Sequence, residues 1–214
     1  MSDRKINLPL VSAGGAVFLD RDGVICEQAG YVNRPEDFVL IDGSAEAIAR
    51  LNRAHVPVIV ITNQGGIALG HLTEETLADI HTRMKRLLVE AGAHVDAVYY
   101  CPHHLQAEVP AYLLDCPCRK PGIGMLEKAR DELGINLQNS VLVGDATTDI
   151  LAGIRAGCRT ILVRTGLGGN DGKVIAEPEF TVSDLSAAVE LILATEEQLN
   201  QISAAERRLN DIPK

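Results

Sequence analysis

Ala16-Val-Phe-Leu-Asp20-Arg-Asp22-Gly-Val-Ile25 decides the reading of this chain. The apolar run from Ala16 to Leu19 reads as a buried strand, and it ends abruptly in the carboxylates of Asp20 and Asp22. A carboxylate buried without a partner is expensive. Two of them at one strand end therefore suggest a bound cation, and the carboxyl ends of strands are where open α/β sheets hold ligands. Gly23 then lets the chain turn sharply away. A nucleophilic carboxylate beside a second one that can carry a proton is what aspartyl-phosphate chemistry requires. Taken alone, the pair has a bland alternative, an acidic turn after a core strand.

Two further apolar runs end in the same way. Val58 to Ile61 leads into Thr62-Asn63-Gln64-Gly65-Gly66, where a hydroxyl, an amide and glycine backbone offer neutral donors suited to a phosphoryl group. Val141-Leu-Val-Gly-Asp145-Ala-Thr-Thr-Asp149 gives a third strand closing in carboxylates. Between them, Cys118-Arg119-Lys120-Pro121 places adjacent cations before a predicted helix. Singly, each has an ordinary explanation: Thr62 as a helix cap, Lys120 as a solvated charge, Asp145 as a turn residue. Their succession at strand ends argues for one site.

In order and spacing these four segments resemble the four motifs of the haloacid dehalogenase superfamily of phosphotransferases, over about Ala16 to Val182. Leu19-Asp-Arg-Asp-Gly23, the Cys/His loop and Cys118-Arg-Lys-Pro121 are similar in particular to the D-glycero-D-manno-heptose 1,7-bisphosphate 7-phosphatase branch, whose close relative is histidinol-phosphate phosphatase. The resemblance implies that Asp20 attacks phosphorus in line to form an aspartyl-phosphate. It makes Asp22 the acid for the departing alkoxide and then the base for the hydrolysing water, a double role that crowding by other carboxylates would encourage. Mg²⁺ is expected on the Asp20 carboxylate, the Asp22 carbonyl and Asp145. Thr62 and the Asn63 backbone are expected on the phosphoryl oxygens, with Lys120 offsetting the gathered negative charge. Asp149 is expected to orient Lys120 or a metal-bound water, and Arg119 to grip a second, non-reacting phosphate. The substrate implied is a sugar bisphosphate on the route to nucleotide-activated heptose for lipopolysaccharide core or another surface glycan.

Cys101-Pro-His103-His104 and Cys116-Pro-Cys118 flank one loop. Two close-spaced pairs of soft ligands make a four-ligand tetrahedral site, the arrangement of structural zinc with no open position for water. A disulfide and chance proximity of buried cysteines are the alternatives. His103 matches the family ligand, and His104 reads as a surface or substrate-facing residue. Cys26 and Cys158 read as ordinary thiols. Because the loop closes just before Arg119 and Lys120, fixing it would position both cations. Its length, from His104 to Asp115, matches the heptose bisphosphatases, since the histidinol-phosphate branch is shorter there. The chain departs from that branch at Gly65 and Leu69, where serine and arginine are typical. It departs again at Ala146, where a lysine usually follows the first aspartate.

With 214 residues, 46% of them hydrophobic, the chain can bury a sizeable core in one domain. Aromatic residues make up only 3%, so the core must rest on Val, Ile, Leu and Ala, as in parallel sheets. A net charge of −9 argues against an extended nucleic-acid surface, so cations for an anionic substrate must be local. No signal peptide or membrane span is evident, which leaves a cytoplasmic monomer or small homo-oligomer as the expectation. Helices are predicted over 45–53 with Ser44 as N-cap, from Thr73 through Leu88, over 125–133, and over 150–156 with Gly157 as C-cap. Strands are predicted at 140–143 and 160–163, and Tyr99 and Tyr100 lie on a strand entering the zinc loop. This alternation predicts an α/β, Rossmann-like parallel sheet with helices on both faces, and nothing between Asp22 and Gly43 suggests a large cap domain. Gly166 to Gly172 reads as a turn. One phosphatase domain is expected over 1–194, with the zinc loop at 101–118 and a helical or partly disordered tail over 195–214. A phospho-acceptor signalling domain is the rival from another class, and Asp22 argues against it because a second carboxylate would shorten the life of the phosphoryl group.

Overall fold

A computed structural model describes residues 9–28 and 30–194, so the tail over 195–214 lies outside the described residues. Its six strands are β1 (Val17–Leu19), β2 (Val58–Asn63), β3 (Ala97–Cys101), β4 (Val141–Gly144), β5 (Arg159–Val163) and β6 (Phe180–Val182). They form one sheet in the order β3-β2-β1-β4-β5-β6, and every pairing is parallel. Five helices complete it: α1 (Ser44–Arg53), α2 (Glu74–Glu90), α3 (Gly124–Leu133), α4 (Thr147–Ala156) and α5 (Leu185–Leu193).

Alternate residues of the central strands enter different cores, as the two-residue period of a strand requires. Val17, Leu19, Val58, Val60, Val141 and Val143 pack with Ile48 and Leu51 of α1, Leu77 and Ile80 of α2, and Val189 and Ile192 of α5. Phe18, Ile59, Ile61 and Leu142 join the other core with Met125, Leu126 and Ala129 of α3 and Ala152 of α4. Both faces are therefore covered, which is why these strands read as unbroken apolar runs instead of alternating ones. Each buried Val, Leu or Ile contributes about 1.5–3 kcal/mol of transfer free energy. The register also matters to function. Leu19 pairs with Val60 and with Val143, so the polar residues that follow β1, β2 and β4 emerge along one edge of the sheet.

Local expectations held with small shifts. Thr73 caps α2, its hydroxyl accepting from Thr76 N at 3.1 Å. Gly134 and Gly157 end α3 and α4 in the left-handed conformation. Ser44 is not an N-cap: it is the first residue of α1, capped by Gly43, and its hydroxyl donates to Ile25 O at 2.9 Å instead. α4 begins earlier than the predicted 150, at Thr147, which places Asp149 inside its first turn. Between β1 and α1 the described residues hold a short 3₁₀ turn at Pro35–Asp37 and isolated bridges from Cys26 to Asp22 and Leu40, with no inserted domain. None of the described helices is long and apolar enough to cross a membrane.

Candidate active site

β1 lies between β2 and β4, so the strand order reverses there and a crevice opens at the carboxyl ends. A cleft of about 530 Å³ occupies it, lined by Asp20, Asp22, Thr62, Asn63, Arg119, Lys120, Asp145 and Asp149 among others. The residues singled out from the four sequence segments thus meet in one place.

Lys120 is 3% exposed and forms the centre of this group. Its Nζ donates to Ile61 O at 2.9 Å, and lies 2.9 Å from Asp20 Oδ1 and 2.7 Å from Asp149 Oδ1. The Asp149 contact is a close ion pair outside hydrogen-bond alignment. Burial works to discharge the ammonium, but Asp149 and Asp20 outweigh it and hold the Lys120 pKa above its usual value. Asn63 fixes the backbone at the same point: Lys120 N donates to Asn63 Oδ1 at 3.0 Å, and Asn63 Nδ2 donates to Lys120 O at 3.1 Å. The other oxygen of Asp149 accepts from Ala146 N at 3.1 Å. Both of its oxygens are therefore engaged, consistent with an orienting role for that residue.

Asp20 Oδ1 also accepts from Arg21 N at 2.7 Å, which leaves Oδ2 as the oxygen without a partner among the described residues. Burial raises the Asp20 pKa, Lys120 opposes, and Asp149 and Asp22 add to the rise. Asp145 is 1% exposed and has no ion-pair partner among the described residues; its Oδ2 accepts from Leu167 N at 2.7 Å. Burial first, then the Asp20 charge, push its pKa up to about 8. Gly23 (φ +79°) and Gly166 (φ +59°) wrap this carboxyl so closely that a Cβ at either would collide with it.

Asp22 lies near enough to Asp20 to raise the Asp20 pKa, and it also has a cationic partner. Arg21, fully buried, holds it in a fork: Nη2 donates to Oδ1 at 2.8 Å and to Oδ2 at 2.9 Å, and Nε to Oδ1 at 3.2 Å. Gln64 Nε2 donates to Asp22 Oδ2 at 2.8 Å and to Thr62 Oγ1 at 2.9 Å, bridging β1 and β2. Behind Arg21, His81 Nε2 lies 3.3 Å from Nη1. Burial and the Arg21 charge push the His81 pKa down to about 3, so the imidazole is neutral and Nε2 is the acceptor. Sequence reasoning missed Arg21, Gln64 and His81.

Two groups have the chemistry of metal sites. Carboxylate oxygens of Asp20, Asp145 and Asp149 lie within 4.8 Å of one another. Lys120 compensates Asp20 and Asp149 but leaves Asp145 unpaired, so the oxygen set fits a hard divalent cation such as Mg²⁺. Cys101, His103 and Cys116 place S, N and S donors within 4.8 Å, a set that fits zinc. Cys118 N donates to the Cys116 sulfur at 3.4 Å, and the Cys118 thiol stands outside that mutual group. All five cysteines are free, so the disulfide alternative is not what the structure contains.

Comparison with known proteins agrees with this geometry. The HAD-hydrolase-like family model matches residues 117–188. A D-glycero-beta-D-manno-heptose-1,7-bisphosphate 7-phosphatase of Vibrio cholerae serotype O1 is 46% identical over 71% of this chain and 82% of its own. A D-glycero-D-manno-heptose-1,7-bisphosphate 7-phosphatase of Thermosynechococcus vestitus is 42% identical over 83% of this chain and 94% of its own. Among solved structures, the D,D-heptose 1,7-bisphosphate phosphatase of B. bronchiseptica, complexed with magnesium and phosphate, superposes with a TM-score of 0.74 at 35% identity. That match covers 87% of this chain and 98% of the other. The chain belongs to the haloacid-dehalogenase-like phosphatases, in the branch that contains these heptose bisphosphatases.

Proposed function

We propose that the protein is a Mg²⁺-dependent phosphatase that removes the 7-phosphate of D-glycero-D-manno-heptose 1,7-bisphosphate through a phosphoryl group carried on Asp20. The observation that carries this reading is the meeting of Asp20, Lys120, Asp145 and Asp149 at the switch point of the sheet. The similarity to heptose bisphosphatases supports the substrate.

Arg21 N and Lys120 Nζ occupy Asp20 Oδ1, so Oδ2 is the attacking oxygen. The bond from Oδ2 to phosphorus forms as the bond from phosphorus to the sugar oxygen breaks. Asp22, on the wall of the same cleft, gives its proton to the departing alkoxide. It then takes a proton from the water that attacks phosphorus, the bond to Oδ2 breaks, and inorganic phosphate leaves with the Asp20 carboxylate restored. The Asp20 carboxylate, the Asp22 carbonyl and Asp145 would hold Mg²⁺, whose positive charge would stabilise the phosphoryl oxygens. Thr62 and the Asn63 backbone position those oxygens, and Lys120 favours the ionised form of Asp20 against the burial that raises its pKa. Zinc on Cys101, His103, Cys116 and Cys118 would hold the loop that leads into Arg119 and Lys120.

The test is Mg²⁺-dependent phosphate release from the two anomers of the heptose bisphosphate, beside histidinol phosphate and fructose 1,6-bisphosphate. One heptose anomer is expected to exceed every other substrate in kcat/KM. Flat activity across the panel rejects the heptose assignment.

A further inference from the structure

The glycine-rich stretch after β5 is tied to the catalytic edge at several points. Leu167 N donates to Asp145 Oδ2, and Gly169 N donates to Asp145 O, each at 2.7 Å. Asp171 then accepts from both the backbone N–H and the hydroxyl of Thr147 at 2.9 Å, and Val174 N donates to Thr147 Oγ1 at 3.3 Å. Lys173 sits between these last two ties. It lines the catalytic cleft and also an adjoining hollow of about 490 Å³, and Asn63, Arg119, Lys120 and Thr148 line both spaces.

His104 and Arg119 face the same hollow. Arg119 Nη1 donates to His103 O at 3.1 Å, and its guanidinium lies over Gly65. A Cβ at Gly65 would stand 3.0 Å from Arg119 Nη1 and 3.3 Å from His104 Cδ2, so the absence of a side chain there makes room for both. His104 Nδ1 accepts from Gln106 N at 3.0 Å, which leaves Nε2 to bear the ring proton. His104, Arg119 and Lys173 all line this one hollow. Asp171, on the catalytic cleft, is engaged by Thr147, and Asp115 is the carboxylate among the described residues that line the hollow. In a chain of net charge −9, donors gathered this way repel one another until an anion joins them.

We propose that Lys173 is a specificity-determining residue which, with Arg119 and His104, holds the non-reacting phosphate of a bisphosphorylated sugar. The inference rests on the phosphatase reading above and extends it. Ala146, directly after Asp145, lines the cleft without bringing a charge to it. Its neighbour Thr147 instead tethers the loop that carries Lys173, so a cation reaches the site from a different segment.

The test compares kcat/KM for the heptose 1,7-bisphosphate with that for p-nitrophenyl phosphate, using the full chain with Mg²⁺. Lys173→Ala is expected to lower the ratio of the two about tenfold, mainly through KM, as loss of one partly solvated charge-assisted contact would. Lys173→Arg is expected to restore most of it. An unchanged ratio, or equal losses on both substrates, overturns the proposal. If the wild type rejects the heptose, the substrate reading fails on its own, and fructose 1,6-bisphosphate against fructose 6-phosphate decides the role of Lys173 by the same ratio.

Discussion

Replacing His81 by glutamine tests how the Asp22 support is built. His81 is 8% exposed, with Nε2 3.3 Å from Arg21 Nη1. Burial and that guanidinium lower its pKa from 6.5 to about 3. A histidine depressed in this way binds fewer protons folded than unfolded. Its contribution to stability is complete above the unfolded value of 6.5 and is lost as pH falls toward the folded value of about 3. In full this amounts to about 5 kcal/mol, of which about 2 kcal/mol is lost between pH 8 and pH 5. Glutamine can still accept from Arg21 but does not titrate. Urea unfolding of both proteins at pH 8 and pH 5, with metal content fixed, isolates the difference. The wild type should lose about 2 kcal/mol more than His81→Gln over that interval, whatever their absolute stabilities. Equal losses would mean that His81 is not a buried neutral acceptor, and the account of how Arg21 is held would fail.

Other outcomes follow from the same geometry. Lys120→Met removes the cation shared by Asp20 and Asp149, so phosphate release should fall to background and stability should drop by about 3–5 kcal/mol, read by activity assay and denaturant titration. Chelating zinc while Mg²⁺ is replenished should loosen the loop ahead of Arg119. The kcat/KM for the heptose bisphosphate should then decline more than that for p-nitrophenyl phosphate, and equal declines would contradict the division of labour.

Much of this was legible in the sequence, for a physical reason. A strand buried on both faces must be apolar throughout, so the runs before Asp20, Thr62 and Asp145 declare themselves, and polar residues at their ends demand an explanation. The candidate site followed because short segments carry it. Arg21, Gln64 and His81 were not legible, because a cation, an amide and an imidazole are each ordinary surface residues until tertiary pairing buries them. Ser44 looked like a cap because its competing partner, Ile25 O, is distant in sequence. The 166–172 stretch reads locally as a turn, since its glycines announce positive φ but not the carboxylate they wrap. β6 is three residues long and half-exposed, too short for a pattern to show, and α5 follows it almost at once.

The central claim is that Asp20 carries the phosphoryl group, and covalent trapping tests it most directly. Asp22→Asn lacks the base for the second step, yet an aryl phosphate needs little acid assistance in the first. Mixed with p-nitrophenyl phosphate and Mg²⁺, then quenched in acid, this variant should show the mass of one added phosphoryl group on the peptide containing Asp20. Inorganic phosphate released while Asp20 stays unmodified at every time point, or a phosphoryl group on another residue, would contradict the account.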